Sequence, residues 1–165
     1  MKKLLFLALI AVIVIQLSVP VYMIVSKYVI LKTGEEFKFW VNPVDPYDAF
    51  RGRYVSLFPQ QEARGDGRYG LIVVDPNGFA RISSITSEKP ESGAYVKSSK
   101  RSRFSLPIDR YYMDEKSAPK AEALTRQRGL EQTAYVTVRI KNGALIVSGL
   151  YIEGIAIEDI IRNGM

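Results

Sequence analysis

The sequence predicts a mainly β protein: an N-terminal transmembrane helix followed by a compact β barrel- or sandwich-like domain with one short helix. Three features of the 165 residues carry that reading. Leu4 to Val25, LLFLALIAVIVIQLSVPVYMIV, contains no charged side chain. Beyond Gly34, apolar and polar residues alternate over short runs, which is the period of half-buried strands. Turn sequences, Asp75-Pro76-Asn77-Gly78 and Asn142-Gly143, separate such runs.

The anchor comes first. Twenty-two residues at about 1.5 Å each span roughly 33 Å, close to the hydrocarbon thickness of a bilayer. Backbone polar groups in lipid must be satisfied within the segment, so it is expected to be helical. Pro20 has no N–H to offer the carbonyl of Gln16, which predicts a kink. A cleaved signal peptide has a shorter apolar core and a small-x-small cleavage site; VYMIVSKYVILK shows none. The helix is expected to run on to about Thr33, with Gly34 as its stop, giving an anchor over 1–33 and a β-rich domain over 34–165. Lys2 and Lys3 favour a cytoplasmic N-terminus, although Lys27 and Lys32 beyond the apolar run partly oppose that bias.

The strands follow in order. Phe37, Phe39 and Val41 alternate with Lys38, Trp40 and Asn42. Tyr54 to Phe58 reads as a second strand; Leu71–Val74 and Phe79–Ile85 flank the Asp-Pro-Asn-Gly turn; Ala94–Val96 and Arg103–Ile108 are further short strands. Ala134–Lys141 and Ala144–Tyr151 form the clearest hairpin, because Asn142-Gly143 suits a type I′ turn with positive φ at both centres. Ser117–Arg128 is the expected helix, capped by Ser117 and apolar through Ala121 and Leu124.

Composition excludes several kinds of chemistry. With no His and no Cys there is no His/Cys zinc site, thiolate nucleophile, Ser-His-Asp triad or disulfide. No cofactor and no metal are expected. The net charge of +6 owes four lysines to the anchor, Lys2, Lys3, Lys27 and Lys32; the remainder holds 19 basic against 17 acidic residues. Such a balance supplies no phosphate-binding field, so nucleic acid is not an expected partner.

Asn42 to Pro59 reads NPVDPYDAFRGRYVSLFP. It resembles the signature of the bacterial GDYXXLXY family through Gly52, Tyr54 and Leu57, with Arg53 in place of Asp and Pro59 in place of the last Tyr. The lead-in Asp45-Pro46-x-Asp48-x-x-Arg51-Gly52 is similar to the family's, as are the Arg110-Tyr111-x-x-x-Glu115 block and the closing hairpin ending Gly149-Leu-Tyr-Ile-Glu-Gly154. The resemblance implies a single-pass inner (plasma) membrane protein, anchored in lipid through residues 4–25, whose extracytoplasmic domain acts alongside another membrane protein. It implies no established activity.

Asp45, Asp48, Arg51, Gly52, Tyr54 and Leu57 are the candidate binding residues. Physically, Asp45 and Pro46 start a helical turn, Asp48 adds charge near its N-terminus, Arg51 can pair with either carboxylate, and Gly52 ends it. A capped turn that only shapes the start of the strand explains the same residues. Tyr54 and Leu57 are expected to pack the following strand. No catalytic residue is expected. A Ser-Lys hydrolase of the signal-peptidase kind is the competing class, but the position of its nucleophile falls on Pro43, which has no hydroxyl. Ser56 and Lys97, or the carboxylate pairs Asp45/Asp48 and Asp109/Glu115, have nothing in their spacing that selects them. Lys97-Ser-Ser-Lys-Arg-Ser-Arg103 reads as a solvated strand edge or a contact for anionic headgroups, and Arg64-Gly65-Asp66 as an ordinary polar turn.

Overall fold

The computed structural model describes residues 2–44, 54–60, 65–100, 103–112 and 134–163. Helix α1 spans Lys2–Thr33 and continues through Pro20. At about 1.5 Å per residue its 32 residues extend about 48 Å. Within it, Leu9–Thr33 is long and apolar enough to cross a membrane, and none of this stretch is buried against the rest of the chain.

Among the described residues nine strands follow: β1 Glu35–Val44, β2 Tyr54–Pro59, β3 Tyr69–Val74, β4 Ala80–Thr86, β5 Tyr95–Lys97, β6 Arg110–Tyr112, β7 Ala134–Lys141, β8 Ala144–Ile152 and β9 Ile155–Ala156. A short helix, α2, covers Ile157–Asn163. Six strands form a half-barrel in the order β6-β2-β1-β7-β8-β9, and three form a second sheet in the order β4-β3-β5. Every named pairing is antiparallel, with one isolated parallel bridge from Val96 to Gly143.

β1 organises the larger sheet by changing neighbours along its length. Glu35–Trp40 pairs with β7, while Val41–Val44 pairs with β2. Its alternation is realised: Phe37, Phe39 and Val41 are buried. They meet Val136, Val138 and Ile140 of β7, Leu150 and Ile152 of β8, and Ile72, Val96, Phe104 and Ile108 from the smaller sheet and its loops in one core. The β7–β8 turn has φ of 51° at Asn142 and 78° at Gly143, the paired positive values that a type I′ turn requires. A bulge between Thr137 and Val138 leaves Ser148 unpaired, and its hydroxyl donates to the Thr137 carbonyl and Oγ1, both at 3.1 Å. That contact satisfies the buried Thr137.

Two local expectations change. Residues 103–108 are not a strand; the ladder resumes at Arg110–Tyr112. Phe104 and Ile108 still reach the core, but Pro107 has no N–H for a ladder and Ile108 N–H turns back to the Leu106 carbonyl at 2.8 Å. The C-terminal helix α2 was not anticipated; Ile157, Ile160 and Ile161 bury one face of it. The helix expected over Ser117–Arg128 lies outside the described residues.

The helix and the sheet meet without a linker. Gly34 N–H closes the last helical turn on the Ile30 carbonyl at 2.7 Å, and Glu35 already belongs to β1. A Cβ at Gly34 would lie 2.5 Å from the Ile30 carbonyl oxygen and 3.1 Å from both N and O of Ile140, so only glycine lets the chain pass. Arg139 Nη1 donates to the Gly34 carbonyl at 3.1 Å, while its Nη2 pairs with Glu36 Oε2 at 2.6 Å. Lys141 Nζ donates to Thr33 Oγ1 at 2.6 Å.

Candidate functional site

Asp45, Asp48, Arg51 and Gly52 lie outside the described residues. Tyr54 opens β2, its backbone paired with Tyr112. Leu57 is 2% exposed, faces Pro43 across the β1–β2 ladder, and donates its N–H to the Asp109 carbonyl at 3.0 Å. Its place is in the core. The next side chain, Phe58, points the other way and is 54% exposed, as alternation along a strand dictates.

This stretch of β2 walls a cavity of about 1030 Å³. Leu57, Phe58 and Pro59 line it, as do Lys100 and Arg103 of the basic run and Pro107. The loop that carries Lys100 and Arg103 is organised around Ser98. Its hydroxyl accepts from Lys100 N–H at 3.2 Å and Ser105 N–H at 3.0 Å, and Ser99 N–H bonds the Ser105 carbonyl at 3.0 Å. Phe104 N–H bonds the Gly65 carbonyl at 3.0 Å, and the Phe104 ring lies over Gly70, where a Cβ would meet it at 2.5 Å. The loop therefore directs Phe104 into the core while Lys100 and Arg103 remain exposed.

Asp66 and Asp109 also line the cavity, balancing Lys100 and Arg103. Asp109 is exposed and pairs loosely with Arg110 at 3.9 Å, a surface contact of little energetic weight. Phe58 and the two prolines give the cavity apolar lining, and charged side chains of both signs line it as well. Among the described residues no group of three or more Asp and Glu gathers as metal ligands, and no lysine ammonium bonds a serine hydroxyl.

The structure also places one titratable residue that the sequence gave no reason to pair. Tyr111, in β6, donates its hydroxyl proton to Glu158 of α2. Burial, reinforced by that carboxylate, pushes the phenol well above the usual tyrosine range. Forty-seven residues separate the two groups, so no local pattern announces the contact. On another part of the β body, Trp40 stacks on Phe79 with ring centres 3.9 Å apart, and both meet Tyr135 edge-on. Tyr135 in turn stacks on Tyr151 at 5.0 Å. This row ties the β3–β4 turn to the larger sheet.

A family model described as GDYXXLXY protein matches residues 16–150. Neither a curated protein nor a solved structure matches the chain.

Proposed function

From the premise that this chain belongs to the GDYXXLXY family, a family of uncharacterised function, we propose a non-enzymatic, single-pass membrane protein whose β domain is a binding or accessory module outside the cytoplasm. The observation that carries the reading is the union of an unburied, apolar α1 with a folded β body joined at Gly34. Such a helix is compatible with lipid as its surroundings, since water would otherwise face a long and largely apolar surface.

The cavity beside β2 is the proposed contact for a partner, and another membrane protein is the proposed partner class. Phe58 supplies an exposed apolar anchor, and Lys100, Arg103, Asp66 and Asp109 supply polar edges of both signs. Lys2 and Lys3 at the start of α1 support a cytoplasmic N-terminus.

Orientation and contact can be tested together, because a chain without cysteine accepts single thiol probes. Ser87→Cys should react with a membrane-impermeant maleimide added to spheroplasts, whereas Lys3→Cys should react only after lysis. A photoreactive residue at Phe58 should crosslink a membrane protein, and Lys100→Glu with Arg103→Glu should abolish the crosslink. The reverse labelling pattern overturns the orientation. A crosslink indifferent to the charge reversals overturns the cavity as the contact.

A further inference from the structure

The inference here rests on α1 spanning the bilayer and concerns what its middle touches. The charge-free stretch between Lys3 and Lys27 is centred on residue 15, so Gln16 sits about 1.5 Å from its midpoint. The other hydroxyl or amide side chains of α1 with a partner satisfy themselves on the helix backbone. Ser18 Oγ donates to the Val14 carbonyl at 2.6 Å, Ser26 Oγ to Met23 at 2.9 Å, and Thr33 Oγ1 to Val29 at 2.8 Å. Gln16 does not: among the described residues nothing bonds its amide. The Gln16 backbone carbonyl also lacks its regular donor four residues on, because that residue is Pro20. One level of the helix thus presents two amide donors, an amide oxygen and a freed carbonyl where no water can answer them, an expensive arrangement in hydrocarbon.

We propose that α1 pairs with α1 of a second copy of this chain, Gln16 against Gln16. A second copy inserts with the same topology, so its helix runs parallel and brings its own Gln16 to the same depth. An amide is both donor and acceptor. Two of them related by a two-fold axis form two reciprocal hydrogen bonds, the self-complementarity that a symmetric interface demands. Val12, Ile13, Val19 and Met23 lie three, four or seven residues from Gln16 on the same face, all exposed, and supply the packing around the polar pair.

The test uses the full-length chain carrying Ser87→Cys, labelled in separate donor and acceptor batches and reconstituted in phosphatidylcholine/phosphatidylglycerol vesicles. Energy transfer is measured as the protein-to-lipid ratio is lowered. The wild type should associate reversibly. Gln16→Leu should need a protein-to-lipid ratio on the order of tenfold higher for half-association, while Gln16→Asn keeps most of it. A wild-type chain with no transfer above random proximity, or a Gln16→Leu chain that associates as tightly, overturns the proposal. Alkaline carbonate extraction of the same vesicles separates the two levels of failure. A wild type that washes out overturns the spanning reading and the pairing together; one that stays in the membrane yet remains monomeric overturns the pairing alone.

Discussion

Tyr111 and Glu158 join the two outermost strands of the six-stranded sheet. Tyr111 lies in β6 at one edge; Glu158 lies in the first turn of α2, which follows β9 at the other edge without an intervening residue. A half-barrel leaves unpaired edges. Here a side-chain hydrogen bond to a carboxylate links the two ends, and Ile157, Ile160 and Ile161 of the same helix are buried in the core.

Tyr111→Phe should lower stability by about 1.5–3 kcal/mol, the net worth of a hydrogen bond to a charged group. Its pH dependence has a definite sign. The folded phenol titrates above its unfolded value of about 10. Its contribution is therefore complete below pH 10 and is lost as pH rises toward the folded value. Urea titrations from pH 8 to 11.5 should show the gap between wild type and Tyr111→Phe narrowing above pH 10. A gap that widens would contradict the latch.

Gly34→Ala puts a methyl group against the Ile30 and Ile140 backbones, neither of which can yield like a flexible side chain. The expected loss is about 1–3 kcal/mol, in the range of overpacked sites. Limited proteolysis should show new cleavage between α1 and β1, and thermal unfolding in detergent should give the magnitude.

Neighbouring residues on β2 should separate packing from binding. Leu57→Ala opens a hole in the core and should cost about 2–5 kcal/mol in urea unfolding. Phe58→Ala, one residue on and exposed, should stay within about 0.5 kcal/mol of wild type. A Phe58→Ala chain as unstable as Leu57→Ala would mean that Phe58 belongs to the core.

Trp40 is the only tryptophan, so its emission reports one site. Phe79→Ala removes the ring stacked on it and should shift that emission to longer wavelength, with a stability loss of about 1 kcal/mol. An unchanged spectrum would show that the stack does not persist in solution.

Much of this architecture is legible in the chain. The Phe37-Phe39-Val41 alternation gives β1 its buried face, and Asn142-Gly143 gives the hairpin turn its two positive φ values. Residues 103–108 mislead because Phe104, Leu106 and Ile108 carry a strand-like period, while Pro107 removes the ladder donor that a strand needs. Ile157, Ile160 and Ile161 have helical spacing, but seven residues offer fewer than two full turns from which to read it. The cavity wall and the Tyr111–Glu158 bond depend on which loops meet across the core. That follows from tertiary packing, which no window of the sequence contains. Of the candidate residues, Leu57 has a described side-chain position: it is buried in the core and also lines the cavity, beside the exposed Phe58.

α1 and the β body meet at the single residue Gly34, which leaves little slack between them. With Arg139 and Lys141 bracing the Gly34 corner, any lean of α1 is handed on to the strands as if to a lever arm. β1 is ten residues long, about 33 Å. A helix lean of about 10°, the kind that a thinner or thicker bilayer imposes, would sweep the far tip of that strand sideways by about 6 Å. With α1 spanning a bilayer as proposed, the height and aim of the cavity over the lipid surface follow membrane thickness, as a pointer follows its dial.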